Sequence, residues 1–152
     1  SHLLRTIQGA ICQCTITITP ITMNHFRSIG AVLAGWLTWG ALCVTVNMGL
    51  MHFMPTLFRP DGTTESAPIL GLLIAMSMVY SIVSGYLTAT IAHAKPLEHA
   101  VALGVWNLSF GLYVQLHYWD VLPLWYHIPF LGLLIPGAMI GGWMKVIETK
   151  QH

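Results

Sequence analysis

The sequence predicts an all-α integral membrane protein whose four transmembrane helices form an antiparallel bundle. Of its 152 residues, 55% are apolar and only 7% are charged, and long uncharged runs alternate with short charged segments. A soluble domain carries about 25% charged residues, so this chain has too few charges to build a water-solvated surface. The lipid bilayer is therefore the first partner that we expect.

Four uncharged runs are long enough to cross a membrane. A helix needs about 20 apolar residues to span a hydrocarbon core of roughly 30 Å. The runs lack the alternation that is typical of barrel strands, and a helix satisfies its own backbone hydrogen bonds in lipid. We predict spans at about residues 29–54, 67–94, 98–119 and 121–144.

Polar residues and prolines mark the ends of these spans. Ser66 can cap the second helix, with Pro68 in its first turn. Pro96 can begin the third helix, and Glu98 then lies near the positive end of the helix dipole. Asp120 lies in so short a turn that the third and fourth helices should be antiparallel neighbours.

Lysine and arginine are distributed unequally between the two sides of the predicted bundle. One side carries Arg27, Lys95, Lys145 and Lys150, whereas the other carries only Arg59. Short cytoplasmic loops are enriched in these residues. We therefore expect both termini to be cytoplasmic, in a cell membrane of the bacterial inner-membrane type.

The first residues do not fit the pattern of the rest. They contain no long span, and residues 14–20 have isolated strand propensity. A short basic segment at residues 23–27 precedes the first hydrophobic run, as it would at a natural start. We expect residues 1–22 to be a disordered or non-native extension, and residues 23–152 to form one transmembrane domain.

Small residues recur four apart, which is the spacing that lets membrane helices approach closely. They predict contacts between helices of one chain or, as an alternative, a homodimer or larger membrane complex. The fourth span also contains Pro129 and Pro136, each of which can kink a helix. The positions that we predict to pack are Gly30, Ala34, Ser81, Gly85, Gly137 and Gly141.

The middle of each predicted span contains no Asp, Glu, Lys or Arg. Embedded charges usually mark ion or proton pathways, so a proton-coupled exporter is disfavoured. The neutral polar residues Asn47, Asn107 and Gln115 remain. They can form hydrogen bonds between helices or line a path for a solute.

Three histidines fall toward the side opposite the termini and could converge on a metal ion: His52, His117 and His127. Met48 and Met51 share one helical face with His52, and thioether with imidazole suits copper, whereas several imidazoles suit zinc. Methionine also fills gaps in apolar cores, and histidine favours interfaces for its polar tip. Because these simpler roles account for the pattern, we predict no metal; copper and zinc are alternatives.

Haem would need paired axial histidines across the bundle. His52 with His117, or His93 with a partner near His99, are the pairs that the sequence offers. Neither pair is clearly matched in depth, so haem is an alternative and not the expectation.

Enzyme motifs are absent from the sequence, which has no G-x-S-x-G, H-E-x-x-H or G-x-x-x-x-G-K-[ST]. No basic cluster suggests a nucleic-acid partner. We therefore expect a structural or accessory membrane subunit without catalytic activity. The alternatives are a facilitator for a small solute or metal ion and a haem-binding electron-transfer subunit.

Overall fold

The computed structural model describes the backbone of residues 2–92 and 94–151 and the side chains of residues 26–92 and 94–151. Within that part of the chain all regular structure is helical, which confirms the all-α prediction. A single 3-10 turn, Pro55–Leu57, follows the first helix. The α-helices are α1 (His2–Phe53), α2 (Ala67–Ala92), α3 (Pro96–His117), α4 (Leu124–Gly132) and α5 (Leu134–Gln151).

Three helical segments are long and apolar enough to cross a membrane. They are Phe26–Phe53 in α1, Ala67–Ala92 in α2, and Leu124–Gln151, which joins α4 and α5. They correspond to the first, second and fourth predicted spans. The third predicted span is also a helix, α3, but the polar residues along it make it less apolar than the other three.

The helix α2 lies at the centre of the bundle, where it contacts α1, α3, α4 and α5. The helix α5 packs along both α2 and α3. Arg27 at the start of the described part of α1 donates a hydrogen bond of 2.9 Å from its Nε to the Ile91 carbonyl near the end of α2. Consecutive long helices therefore run in opposite directions.

Small residues bring the backbones of α2 and α5 together within the chain. A Cβ on Gly85 would lie 2.8 Å from the Ala138 Cα, and a Cβ on Gly137 would lie 2.7 Å from the Ser81 Cβ. A Cβ on Gly141 would lie 2.6 Å from the backbone nitrogen of Tyr86. Four of the small residues singled out in the sequence thus lie at a helix contact inside one chain.

The packing face of α1 differs from the predicted one by one residue. A Cβ on Gly30 would have nothing within 4 Å, whereas a Cβ on Gly35 would collide with the Thr88 side chain and lie 3.0 Å from Leu103. Ala31 is fully buried and Ala34 only partly so. Successive residues are about 100° apart around a helix, so the contact falls on Ala31 and Gly35 instead of Gly30 and Ala34.

The break between α4 and α5 has a covalent cause. Pro136 has no N–H to donate to the carbonyl of Gly132, four residues earlier, and its ring crowds that carbonyl. The helix α4 ends at Gly132, and Leu133 has the φ and ψ values −87° and −12°. The flanking backbone hydrogen bonds persist, with Leu133 donating to Pro129 at 3.0 Å and Gly137 donating to Leu133 at 2.9 Å.

The two ends of the bundle carry different charges. The end that holds Arg27, Lys95 and Lys145 is called the basic end here, and the end formed by residues 54–66 and 118–123 is called the loop end. At the basic end, Lys145 Nζ lies 2.9 Å from a carboxylate oxygen of Glu148, which also accepts a 2.7 Å hydrogen bond from the Tyr86 hydroxyl. These contacts tie α5 to α2.

The helix α1 begins at His2 and includes most of the segment 1–22. The side chains of residues 1–25, which include Cys12 and Cys14, lie outside the described residues. The prediction that residues 1–22 are a non-native extension therefore stays a prediction.

Candidate functional site

A cavity of about 440 Å³ lies toward the loop end of the bundle, between α1, α2, α3 and α4. Its volume lies within the range of roughly 300–1,000 Å³ that is usual for ligand pockets. Most of its wall is apolar, with Met48 and Met51 from α1, Leu70 and Leu73 from α2 and Phe130 from α4. Such a wall favours an uncharged occupant, because an isolated charge loses its hydration there.

Polar side chains from four helices line the cavity: Asn47 on α1, Ser77 and Tyr80 on α2, Gln115 on α3 and Tyr126 on α4. Asn47 donates a 2.9 Å hydrogen bond to the Cys43 carbonyl, and Ser77 donates a 2.7 Å bond to the Ile74 carbonyl. The hydroxyl of Tyr80 is different, since it is buried and has no hydrogen-bond partner among the described residues.

The loop end covers the mouth of the cavity with a structured turn. Thr63 donates to the Asp61 carboxylate from its backbone N–H at 2.9 Å and from its hydroxyl at 2.7 Å. These bonds stabilise the ionised carboxylate and lower the pKa of Asp61. Thr64 donates to the Leu57 carbonyl at 2.6 Å, and Arg59 pairs with Glu65. The turn that covers this side of the cavity therefore carries a negative charge at Asp61, which disfavours anions there.

A buried histidine holds the wall between α3 and α4. His127 is 1% exposed; its Nε2 lies 3.1 Å from the Leu122 carbonyl oxygen and its Nδ1 lies 2.6 Å from the Gln115 Oε1. Both oxygens only accept, so each contact is a hydrogen bond when the ring nitrogen that faces it carries the proton, and a neutral ring donates to one of the two. The ring also stacks on Trp119, with the ring centroids 4.6 Å apart. Both ring nitrogens are thus engaged in structural contacts.

Three buried polar groups without hydrogen-bond partners among the described residues lie near the middle of three helices. They are the Trp39 indole N–H on α1, the Tyr80 hydroxyl on α2 and the Asn107 amide on α3, of which both polar atoms lack a partner. Trp39 and Tyr80 belong to one contiguous core cluster. Asn107 is fully buried, one helical turn from Leu103, which lies against Gly35. Unpaired buried polar groups are rare in folded proteins.

Buried hydroxyls continue from this level toward the basic end along α2. Ser81 and Ser84 donate to carbonyls of their own helix at 2.8 and 3.1 Å, and Thr88 reaches the Ala31 carbonyl of α1 at 3.3 Å. At Thr88 the helices close tightly, because Gly35 leaves room for no more than a hydrogen atom. The cavity therefore does not continue to the basic end, where the helices are packed closely.

The structure separates the histidines that the sequence placed at one depth. His127 is buried in the wall, whereas His52 and His117 are exposed and each contacts the aromatic ring of the next residue. Met48 and Met51 line the cavity without them. Among residues 26–92 and 94–151 no three His, Cys, Asp or Glu side chains converge on a point that could hold a metal ion. His93, a candidate for haem, lies outside the described residues.

The polar residues predicted to line a path fall into two groups. Asn47 and Gln115 line the cavity, whereas Asn107 lies deeper, in the closed part of the bundle. Tyr80 and Trp39 were not predicted to take part, because an aromatic residue inside an apolar run is usually part of the core. Their sequence positions gave no sign that their polar atoms would be buried without partners.

No protein-family model, curated protein or solved structure matches the chain. The fold and the site define a class only. The protein is helical, with three apolar helices of membrane-spanning length and a cavity whose lining residues include Tyr80, which has a buried hydroxyl without a partner among the described residues.

Proposed function

We propose that the chain is a membrane facilitator for a small uncharged solute, which it takes up from the loop end. The observation that carries the proposal is the cavity of about 440 Å³, whose wall includes Tyr80, a residue whose hydroxyl is buried without a hydrogen-bond partner among the described residues. A hydroxyl buried without a partner costs roughly 1–3 kcal/mol, and a solute that bonds to it would offset that cost. The apolar wall disfavours ions of either sign, and the carboxylate of Asp61 additionally disfavours anions.

The facilitator would cross the membrane four times, with α3 as the remaining span. A less apolar helix is accommodated when it is covered by its neighbours, and the polar residues Asn107 and Gln115 of α3 are both buried in the bundle. The charges of the basic end would place both termini in the cytoplasm of a bacterial-type cell. The loop end and the mouth of the cavity would then face outward.

The orientation predicts the behaviour of terminal reporters. A C-terminal fluorescent protein that matures only in the cytoplasm should be bright, and a C-terminal alkaline phosphatase, which is active only outside, should be inactive. The reporters should give the opposite result when they are inserted at Gly62, in the turn between α1 and α2. An active phosphatase at the C-terminus would overturn the proposed orientation.

The facilitator predicts solute flux that depends on the cavity. Proteoliposomes should take up glycerol or urea faster than empty liposomes, as followed by stopped-flow light scattering. Leu73→Trp should abolish the difference because Leu73 lines the cavity, whereas Leu72→Trp should not because Leu72 faces outward on the same helix. Equal flux in all three proteins would contradict the proposal, as would uptake no faster than that of empty liposomes.

An accessory or structural subunit is the second candidate function, and α1 provides the observation that favours it. Gly30, Gly40 and Gly49 each have open space where a Cβ would lie. Glycines of this kind allow another helix to approach closely, so a second copy of the chain or another membrane protein could pack there. If the proteoliposomes take up solute no faster than empty liposomes, the accessory or structural role becomes the preferred proposal.

A further inference from the structure

We infer that the solute path continues from the cavity through a central polar station formed by the Trp39 indole N–H, the Tyr80 hydroxyl and the Asn107 amide. This inference rests on the proposed facilitator function and names its route and its substrate class. Tyr80 belongs both to the cavity wall and to the core cluster that contains Trp39. It therefore connects the open cavity with the closed part of the bundle.

Helix register places the other two members of the station one to two turns from cavity-lining residues, toward the basic end. Trp39 precedes Cys43 by one turn of α1, and Cys43 lines the cavity. Asn107 precedes Gln115, also in the cavity wall, by about two turns of α3. Because α1 and α3 run in the same direction from the basic end, both residues lie on the side of the cavity that faces the closed end.

The chemistry of the station selects the substrate. The Trp39 N–H only donates, the Tyr80 hydroxyl donates and accepts, and the Asn107 amide has two donors and one acceptor. A solute that satisfies them must accept at least one hydrogen bond and donate another, and it must carry no charge. Small alcohols, polyols and primary amides have these properties.

The closed state explains why the three groups are unpartnered. Packing of Gly35 against Thr88 and Leu103 closes the bundle beneath the station. A solute in the station would supply the missing partners and would replace the hydration that it loses on leaving the cavity. The station would thus lower the barrier at the narrowest part of the route.

Substitutions that remove only polar atoms separate this role from a structural one. Tyr80→Phe deletes one oxygen, and Asn107→Leu replaces an amide by a hydrocarbon of similar size. Each should raise the melting temperature of the solute-free protein, by about 2–4 °C, because an unpaired buried group is gone. Each should also slow glycerol and urea flux, about threefold for Tyr80→Phe and about tenfold for Asn107→Leu.

Ser109→Ala is the matched control, because Ser109 is exposed on α3 and bonds only to its own helix, at the Val105 carbonyl. It should leave flux unchanged. The expected result is that both station variants are more stable than the wild-type protein and conduct solute more slowly. Should Leu73→Trp abolish flux while Tyr80→Phe and Asn107→Leu keep the wild-type rate, the station would be excluded and the facilitator would stand. Wild-type flux equal to that of empty liposomes would overturn both.

Discussion

Replacing Gly85 by alanine should lower the free energy of unfolding by about 3 kcal/mol, because the added methyl group would overlap the backbone of α5. The Cβ would collide with the Ala138 carbonyl oxygen and lie 2.8 Å from the Ala138 Cα. A flexible side chain could rotate away, but a helix backbone cannot, so α2 and α5 would have to separate. Denaturant titration in mixed micelles measures the change.

Gly71 on the same helix is the matched control. Nothing lies within 4 Å of a Cβ built there, and alanine is the better helix former by up to about 1 kcal/mol. Gly71→Ala should therefore be neutral or slightly stabilising. If Gly85→Ala and Gly71→Ala have the same stability, the close approach of α2 and α5 would be refuted.

At the contact between α3 and α5, a second substitution can compensate for the loss of stability that the first one causes. A Cβ on Gly142 would lie 2.5 Å from the Cβ of Ala100, which is a side-chain atom. Gly142→Ala alone should therefore destabilise the protein, and adding Ala100→Gly should restore part of the loss because the methyl group is transferred across the contact. No such partner exists for Gly85, where the clash is with backbone.

The helices could be predicted from the sequence because the length of an apolar run and the positions of charges are both read along the chain. Uncharged runs of the right length give the spans, and the three most apolar ones are helices near the predicted positions. Packing needs a second coordinate, the angle around the helix axis. Gly30 with Ala34 and Ala31 with Gly35 have the same spacing, and only contact with Thr88 and Leu103 selects the second pair.

The candidate site was less predictable for the same reason. His52, His117 and His127 share a depth, but depth does not fix the direction in which a side chain points, and only His127 turns inward. Asn47 and Gln115 were identified because a polar residue in an apolar run usually has a buried partner or a path to line. Tyr80 was missed because the missing hydrogen bond of its hydroxyl is a property of the tertiary structure.

Removing either partner of the His127–Gln115 contact should destabilise the bundle by about 2 kcal/mol, since a buried polar atom of the other partner then lacks this contact. His127 is 1% exposed and Gln115 is 4% exposed, so neither is well placed to bond to solvent instead. His127→Leu also frees the Leu122 carbonyl and removes the ring that stacks on Trp119. Gln115→Leu should leave that stack in place.

The double variant distinguishes a hydrogen bond from simple packing. If the 2.6 Å contact is an essential pairing, the double variant His127→Leu with Gln115→Leu should lose less stability than the sum of the two single variants, with a coupling of about 1 kcal/mol.

Hydrogen bonds between membrane helices are individually weak, on average about 0.6 kcal/mol. The larger coupling is expected here because each single variant leaves one buried atom of this contact without its partner, whereas the double variant contains neither atom. His117→Leu, at an exposed position on α3, should change stability by less than about 0.5 kcal/mol. Additive losses in the double variant would show instead that His127 stabilises the α3–α4 wall through its ring contacts alone.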